Sequence, residues 1–327
     1  MSTGMPNSPM PAPSTGYSIS TKPSIGIAHL ILFLSIAILV IVVAVPVLLI
    51  FYHAFWVNGE FNVRDVYRIV TEPDTYQALK NSLIIASGTT LGSTIVGTFF
   101  AWLVTRTDLP YKTFMKSMFL VPFMLPSFIG ALAWKMLLSP NAGIINRYFM
   151  DKLGFSEPIF NIYSYAGICL VEIMYLFPFV FIQVCGALER MDPTLEESAR
   201  ISGAGLFTIT RKITIPLVLP SILSGALLIM LYSMAHFGTV AVLGIENGIF
   251  NIPTLIYQRI HQSAGSFDSI RTGTVLASIL VVTAALIIWL QRKILSRGNY
   301  QIIGGKSFRP MELKLRALRI RMLIFCL

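Results

Sequence analysis

Apolar runs dominate the chain, and they recur at lengths that can cross a bilayer. The first, 25–51, is almost wholly apolar; five more follow at about 79–104, 114–138, 165–188, 221–243 and 272–290. Runs longer than about 18 apolar residues read as membrane helices. The pattern therefore predicts an all-α membrane protein with six transmembrane helices. The first run is too long for a signal-peptide core and lacks a basic leader, so it is expected to stay on the chain, kinked near Pro46. Pro122 and Pro126 interrupt the third run, and Gly88 and Gly92 in the second have the spacing of a helix-packing seam. The polar segments complete the organisation. Residues 1–24, rich in Pro, Ser, Thr and Gly, read as a disordered tail. Residues 25–75 hold the first helix and an outer loop. Residues 76–292 form the transmembrane domain, and 293–327 a basic linker that ends as a truncated further span begins.

The polar stretch between the fourth and fifth runs, 192–216, breaks the pattern. It carries helix signals where a plain connection needs none. Asp192 can cap, Pro193 suits a first helical position, and Glu196 and Glu197 sit near the positive end of the helix dipole. Gly203 and Gly205 then end the helix. A second short amphipathic segment follows, with Leu206, Phe207, Ile209 and Ile213 apolar and Arg211 and Lys212 basic, running into Pro216. A helix-turn-helix at a membrane surface reads as a docking element.

Composition sharpens this picture. The chain of 327 residues is 55% hydrophobic and 12% charged, with mean hydropathy +0.72. A soluble domain has roughly twice that charged fraction. The net charge of +10 would suit nucleic acid, but its placement argues against that partner. Seventeen of the 25 Lys and Arg residues fall in the N-terminal tail, the second-to-third loop, the 192–216 loop with its flank, and the C-terminal tail. The positive-inside rule then makes both termini and the docking loop cytoplasmic. Cys169, Cys185 and Cys326 form no disulfide framework and no metal motif.

The docking loop resembles the signature of inner-membrane permease subunits of ABC importers: EAA, three residues, Gly, nine residues, then Ile-x-Leu-Pro. Here Glu197-Ser198-Ala199 is followed at the same spacing by Gly203, Ile213 and Pro216, with Ser198 and Ile215 as the departures. The resemblance implies a type I permease bundle of membrane helices in the plasma (inner) membrane of a bacterium. The loop would be a coupling helix set in a groove on an ATPase subunit. On this reading Glu196, Glu197, Ser198, Ala199, Arg200, Gly203, Ile213 and Pro216 are the ATPase-coupling residues. Leu195, Ala199 and Ile201 would enter the groove while Glu196, Glu197 and Arg200 meet its polar rim. The implied partners are ABC ATPase subunits, a periplasmic or lipoprotein solute-binding protein and a second permease half. The chain is expected to carry no cofactor and no enzymatic activity, with ATP on the partner. A stretch at 298–310, GNYQIIGGKSFRP, is similar to the linker between the halves of fused ferric-iron permeases, a branch shared with thiamine, phosphonate and polyamine systems. It implies that the chain corresponds to a first half and carries iron.

The remaining candidates lie within the spans. Glu172, in the fourth run, is costly in hydrocarbon and must face a partner or a wet cavity. It reads either as a translocation-path residue, with Tyr175 one turn away, or as a paired structural acid. His236 either lines the path or bonds a neighbouring helix. Lys135 is expected to snorkel, and Met230 and Met234 to pack. His261, Tyr257 and Arg259, in the outer loop before the sixth run, read as a solvated amphipathic loop helix or as a docking surface for a substrate-binding protein. Gly305-Lys306-Ser307 is no phosphate loop, because Tyr300 stands where that motif needs Gly. No Ser-His-acid constellation is expected. An ion-coupled secondary transporter is the rival reading. It requires an internal repeat and broken helices around a midplane charge.

Overall fold

The structure, a computed structural model, describes residues 25–57, 60–262, 267–296 and Met322. The N-terminal tail, the 298–310 stretch and Cys326 lie outside the described residues. The chain divides into two compact units at Leu49/Ile50. In the first, α1 (Ile25–Leu39) runs through a π-helical turn, Val40–Ala44, into α2 (Val45–Phe55), which continues into the second unit. From Leu30 to Leu49 its side chains are apolar on every face except for Ser35, whose hydroxyl donates to the Ile31 carbonyl at 2.8 Å, as suits a helix solvated by lipid.

The second unit begins with a two-residue antiparallel pairing of Trp56–Val57 with Glu60–Phe61. Then come α3 (Val63–Thr71), the long α4 (Pro73–Arg106), α5 (Lys112–Met118), α6 (Val121–Met124), α7 (Ser127–Leu138), α8 (Ile144–Leu153) and α9 (Tyr165–Arg190). After these follow α10 (Thr194–Ile201), α11 (Leu206–Ile209), α12 (Ile215–Met234), α13 (Gly238–Leu243), α14 (Ile252–Gln262) and α15 (Phe267–Ser296). Among the described residues five helical runs are long and apolar enough to cross a membrane, and six if the bent pair 112–138 counts as one.

The core is a three-helix seam of α4, α9 and α12. Ile85, Leu103, Val180, Phe181 and Ile229 are buried there. Glycines let the backbones approach. A Cβ on Gly97 would lie 2.7 Å from the Phe177 carbonyl oxygen, and one on Gly225 2.9 Å from Val180 Cα. Gly88 and Gly92 face Cys169 and Ile173 of α9, the packing role expected of them. A second cluster joins α14 and α15 to the start of α4 through Ala78, Ile252, Leu255 and Leu276. Ion pairs border it: Arg271 to Asp65 at 2.5 Å, and Arg259 to Glu72 at 3.2 Å and Asp74 at 2.8 Å.

The third span is interrupted at its prolines, as the sequence predicts: Leu125 and Pro126 turn the chain by 93° between 112–124 and 127–138. Pro126 lacks an N–H, and it forces the residue before it out of the α region, so Leu125 is extended at ψ 139°. The fifth span begins at Leu206, well before the expected 221, and ends at Met234. The second amphipathic segment is therefore no separate helix. A π-helical turn, Thr210–Thr214, carries it straight into α12, and Pro216 is the second residue of α12, directly after that turn. The remainder, 235–243, is a break followed by the short α13.

Candidate functional site

The docking loop folds as its signals dictate. Asp192 Oδ1 accepts from the Thr194 N–H at 2.9 Å, and that hydrogen bond holds the Asp192 carboxyl below the usual carboxylate range. Pro193 takes the N-cap position and α10 runs eight residues. At its end Gly203 is left-handed (φ 85°); its N–H donates to the Arg200 carbonyl at 2.9 Å, and the Ala204 N–H to the Ala199 carbonyl at 3.0 Å. This pair of bonds is a Schellman motif, and it satisfies two carbonyls that the helix end would otherwise leave open. A Cβ on Gly203 would meet nothing within 4 Å, so the glycine serves the backbone angle.

Most of α10 faces outward. Glu197, Ser198, Arg200 and Ile201 are exposed, as are Phe207 and Pro216, while Ala199 and Ile213 are half-buried. Ile201 is 88% and Phe207 77% exposed. These two large apolar side chains flank the Gly203 turn, and nothing among the described residues covers them. Glu196 behaves otherwise and corrects the expectation of a rim residue. It is buried, with Oε2 3.3 Å from Arg106 Nε, and Oε1 accepts from Thr214 Oγ1 at 2.6 Å. Helical rotation of 100° per residue sends adjacent acids in different directions: Glu197 outward, Glu196 into the bundle.

The second site lies within the spans. Glu172 is fully buried on α9. Its Oε2 accepts from Thr89 of α4 at 3.1 Å and from Ser233 of α12, and its Oε1 is 3.1 Å from His236 Nδ1. His236 Nε2 lies 2.7 Å from Ser127 Oγ, at the first position of α7. Asn251 Nδ2 donates to the His236 carbonyl at 2.7 Å. The network thus ties α4, α7, α9 and α12 at the point where two helices are broken, Leu125–Pro126 and Ala235–Phe237. Glu172 takes the paired role, and His236 bonds neighbouring helices. A cavity of about 380 Å³ opens beside them, lined by Met124, Ser127, Tyr175, Tyr232 and His236 among others. Tyr175 and His236 line it; Glu172 sits behind His236. The acid–imidazole–hydroxyl order was not expected from sequence, because Ser127 is 109 positions from His236. The proline–serine start of a helix at 126–127 was the available signal. Arg106 was equally missed, being counted as a loop cation although it closes α4. No group of three or more His, Cys, Asp and Glu residues that could hold a metal occurs among the described residues.

Comparison with known proteins places these features in context. The family model described as binding-protein-dependent transport system inner membrane component matches residues 78–298. A putative ferric transport system permease protein of Haemophilus influenzae is 28% identical over 265 residues, covering 81% of this chain and 41% of that one. A ferric transport system permease protein of Actinobacillus pleuropneumoniae is 28% identical over 267 residues, 37% of its length. The chain therefore spans about two-fifths of these relatives. The molybdenum transport system permease protein of Escherichia coli is 30% identical over 227 residues, 68% of this chain and 96% of that one. In fold, the chain is similar to a bacterial alginate ABC transporter solved with an alginate-bound periplasmic protein. The TM-score is 0.70 at 18% identity, covering 86% of this chain and 96% of that one.

Proposed function

Because this chain belongs to the family of inner-membrane components of binding-protein-dependent transport systems, we propose that it is one half of the permease of an ATP-driven importer. The observation that carries the reading is α10, an exposed helix closed by a left-handed Gly203, with the spacing Glu197–Gly203–Ile213–Pro216. ATPase subunits on the cytoplasmic side grip this helix, with Ile201 and Phe207 as its apolar anchors. A solute-binding protein delivers cargo from outside, and a second permease half completes the path. ATP stays on the partner. Both termini are cytoplasmic, a reading that the charge bias of the loops supports. Tyr175 and His236 line the path at the bent third span, with Glu172 holding His236 in place. This fits the physics of membrane transport, in which irregular backbone is tolerated where it borders a cavity.

For the cargo we propose ferric iron, supported by the two ferric relatives and by the 298–310 stretch. An oxyanion is the second reading, favoured by the molybdenum relative, which the chain covers almost end to end. Relatives named for 2-aminoethylphosphonate and sulfate belong to the same second group. The test is affinity purification of the tagged chain with its neighbouring gene products. An ATPase should be retained and should cross-link to cysteines placed at Ile201 or Phe207. Glu197→Lys should abolish both. Purification without any ATPase would overturn the reading. Uptake of radioiron against radiomolybdate then separates the cargoes.

A further inference from the structure

We propose that Glu196, Arg106 and Thr214 form the joint through which the coupling helix moves the bundle, and that Glu196 is a positioning residue with no contact to the ATPase. The proposal rests on the ATPase-coupled reading above. Its basis is a symmetry of fastening between α4 and α12, the two helices that flank α9 in the core.

At one end, the Glu172 carboxylate bridges Thr89 of α4 and Ser233 of α12. At the other, the Glu196 carboxylate bridges Arg106, the last residue of α4, and Thr214, the last residue of the π turn that opens α12. Both acids come from outside the pair: Glu172 from α9, Glu196 from the coupling helix. Along α4 the two fastenings lie 17 residues apart, roughly 25 Å at 1.5 Å per residue. Along α12 they are 19 residues apart, roughly 28 Å. A helix pair pinned at both ends transmits displacement as a body, because close-packed interiors shift between discrete arrangements and do not stretch. The far end is where His236 meets the cavity at the bent third span.

Burial makes the lower fastening stiff. Arg106 is 2%, Thr214 2% and Glu196 7% exposed. Solvent therefore cannot substitute for the pair as it does for surface ion pairs. The joint is also incompletely bonded. Arg106 and Glu196 meet at ion-pair distance without an aligned hydrogen bond, and the buried guanidinium N–H groups have no hydrogen-bond partner among the described residues. A cavity of about 20 Å³ beside it, bordered by Trp102, Arg200 and Thr210, has room for about one water.

The test uses the complete transporter in proteoliposomes, with radioiron as ferric citrate and radiomolybdate as parallel probes. ATP hydrolysis, uptake and ATPase retention are measured together. For E196Q and R106Q the ATPase stays bound and hydrolysis continues, while uptake per ATP falls about tenfold or more. The swapped pair R106E/E196R regains most of the lost ratio. A merely structural role would lower hydrolysis and uptake in proportion and leave the ratio unchanged. The joint is refuted by an E196Q transporter that keeps its uptake per ATP within about twofold, by one that sheds its ATPase, or by a swap no better than E196Q alone. If the unmodified chain holds no ATPase, the importer reading fails before the joint is tested.

Discussion

Gly203→Ala isolates one contribution to the coupling helix. A Cβ at this position meets no atom within 4 Å, so substitution creates no clash and removes no packing. What it changes is the backbone. At φ 85° an L side chain presses on its own carbonyl, at a cost of roughly 1–2 kcal/mol, whereas Asn tolerates this region better. The cost falls on the two bonds that close α10, from Gly203 N–H to the Arg200 carbonyl and from Ala204 N–H to the Ala199 carbonyl. A loss of one or two kcal/mol shifts a local equilibrium by a factor of about 5–30. In Gly203→Ala the amides of 203 and 204 should therefore exchange with deuterium about 5–30-fold faster, with a smaller change in Gly203→Asn and none in the amides of α9. Mass-spectrometric hydrogen exchange on the detergent-solubilised protein reads this directly. Equal exchange in the Ala and Asn variants, or no acceleration in either, would refute the argument that Gly203 is there for its left-handed angle.

Three further outcomes follow from the bundle. Gly130→Ala places a Cβ 1.4 Å from the Tyr175 hydroxyl oxygen, so the ring must leave its slot. The expected overpacking cost of about 1–3 kcal/mol should appear as a Tm lowered by several degrees. Glu172→Ala leaves Thr89, Ser233 and His236 without their common acceptor; removing one partner of such a buried set costs about 3–5 kcal/mol. Denaturant titration should find Glu172→Gln clearly less damaging. The Asp65 carboxyl is held below its usual 3.8, chiefly by the hydrogen bond from Arg271. Its folded-state value lies below the unfolded one, so its stabilisation is complete above the unfolded value and is lost as pH falls through the folded one. Thermal unfolding of Asp65→Asn should then differ from the parent at about pH 5 and converge with it at the acid end.

The membrane-spanning character was legible because twenty-residue apolar runs have few other readings. The helix signals of the loop were equally plain: Asp192, Pro193 and Gly203 act locally, and local rules describe them. What was hidden was tertiary. Pro126 signalled an interruption but not its size, a turn of 93° with α7 packed against α13. Thr210–Thr214 reads as polar surface, and its π turn merges the loop with the fifth span. Adjacent acids on a helix face different ways, but that Glu196 is the one turned inward is set by Arg106, ninety residues earlier. Thr89 and Ser233 gave no signal either, because a hydroxyl in a span is ordinarily bonded to its own helix.

On the function proposed above, this chain moves cargo only when an ATPase grips the 192–216 loop. Uptake into proteoliposomes tests it most directly, with the chain alone or with its ATPase and second half, and with ATP or an ion gradient as the energy source. Uptake is expected only in the complete assembly with ATP, and Glu197→Lys should abolish it. Uptake by the chain alone under an ion gradient would contradict the proposed function.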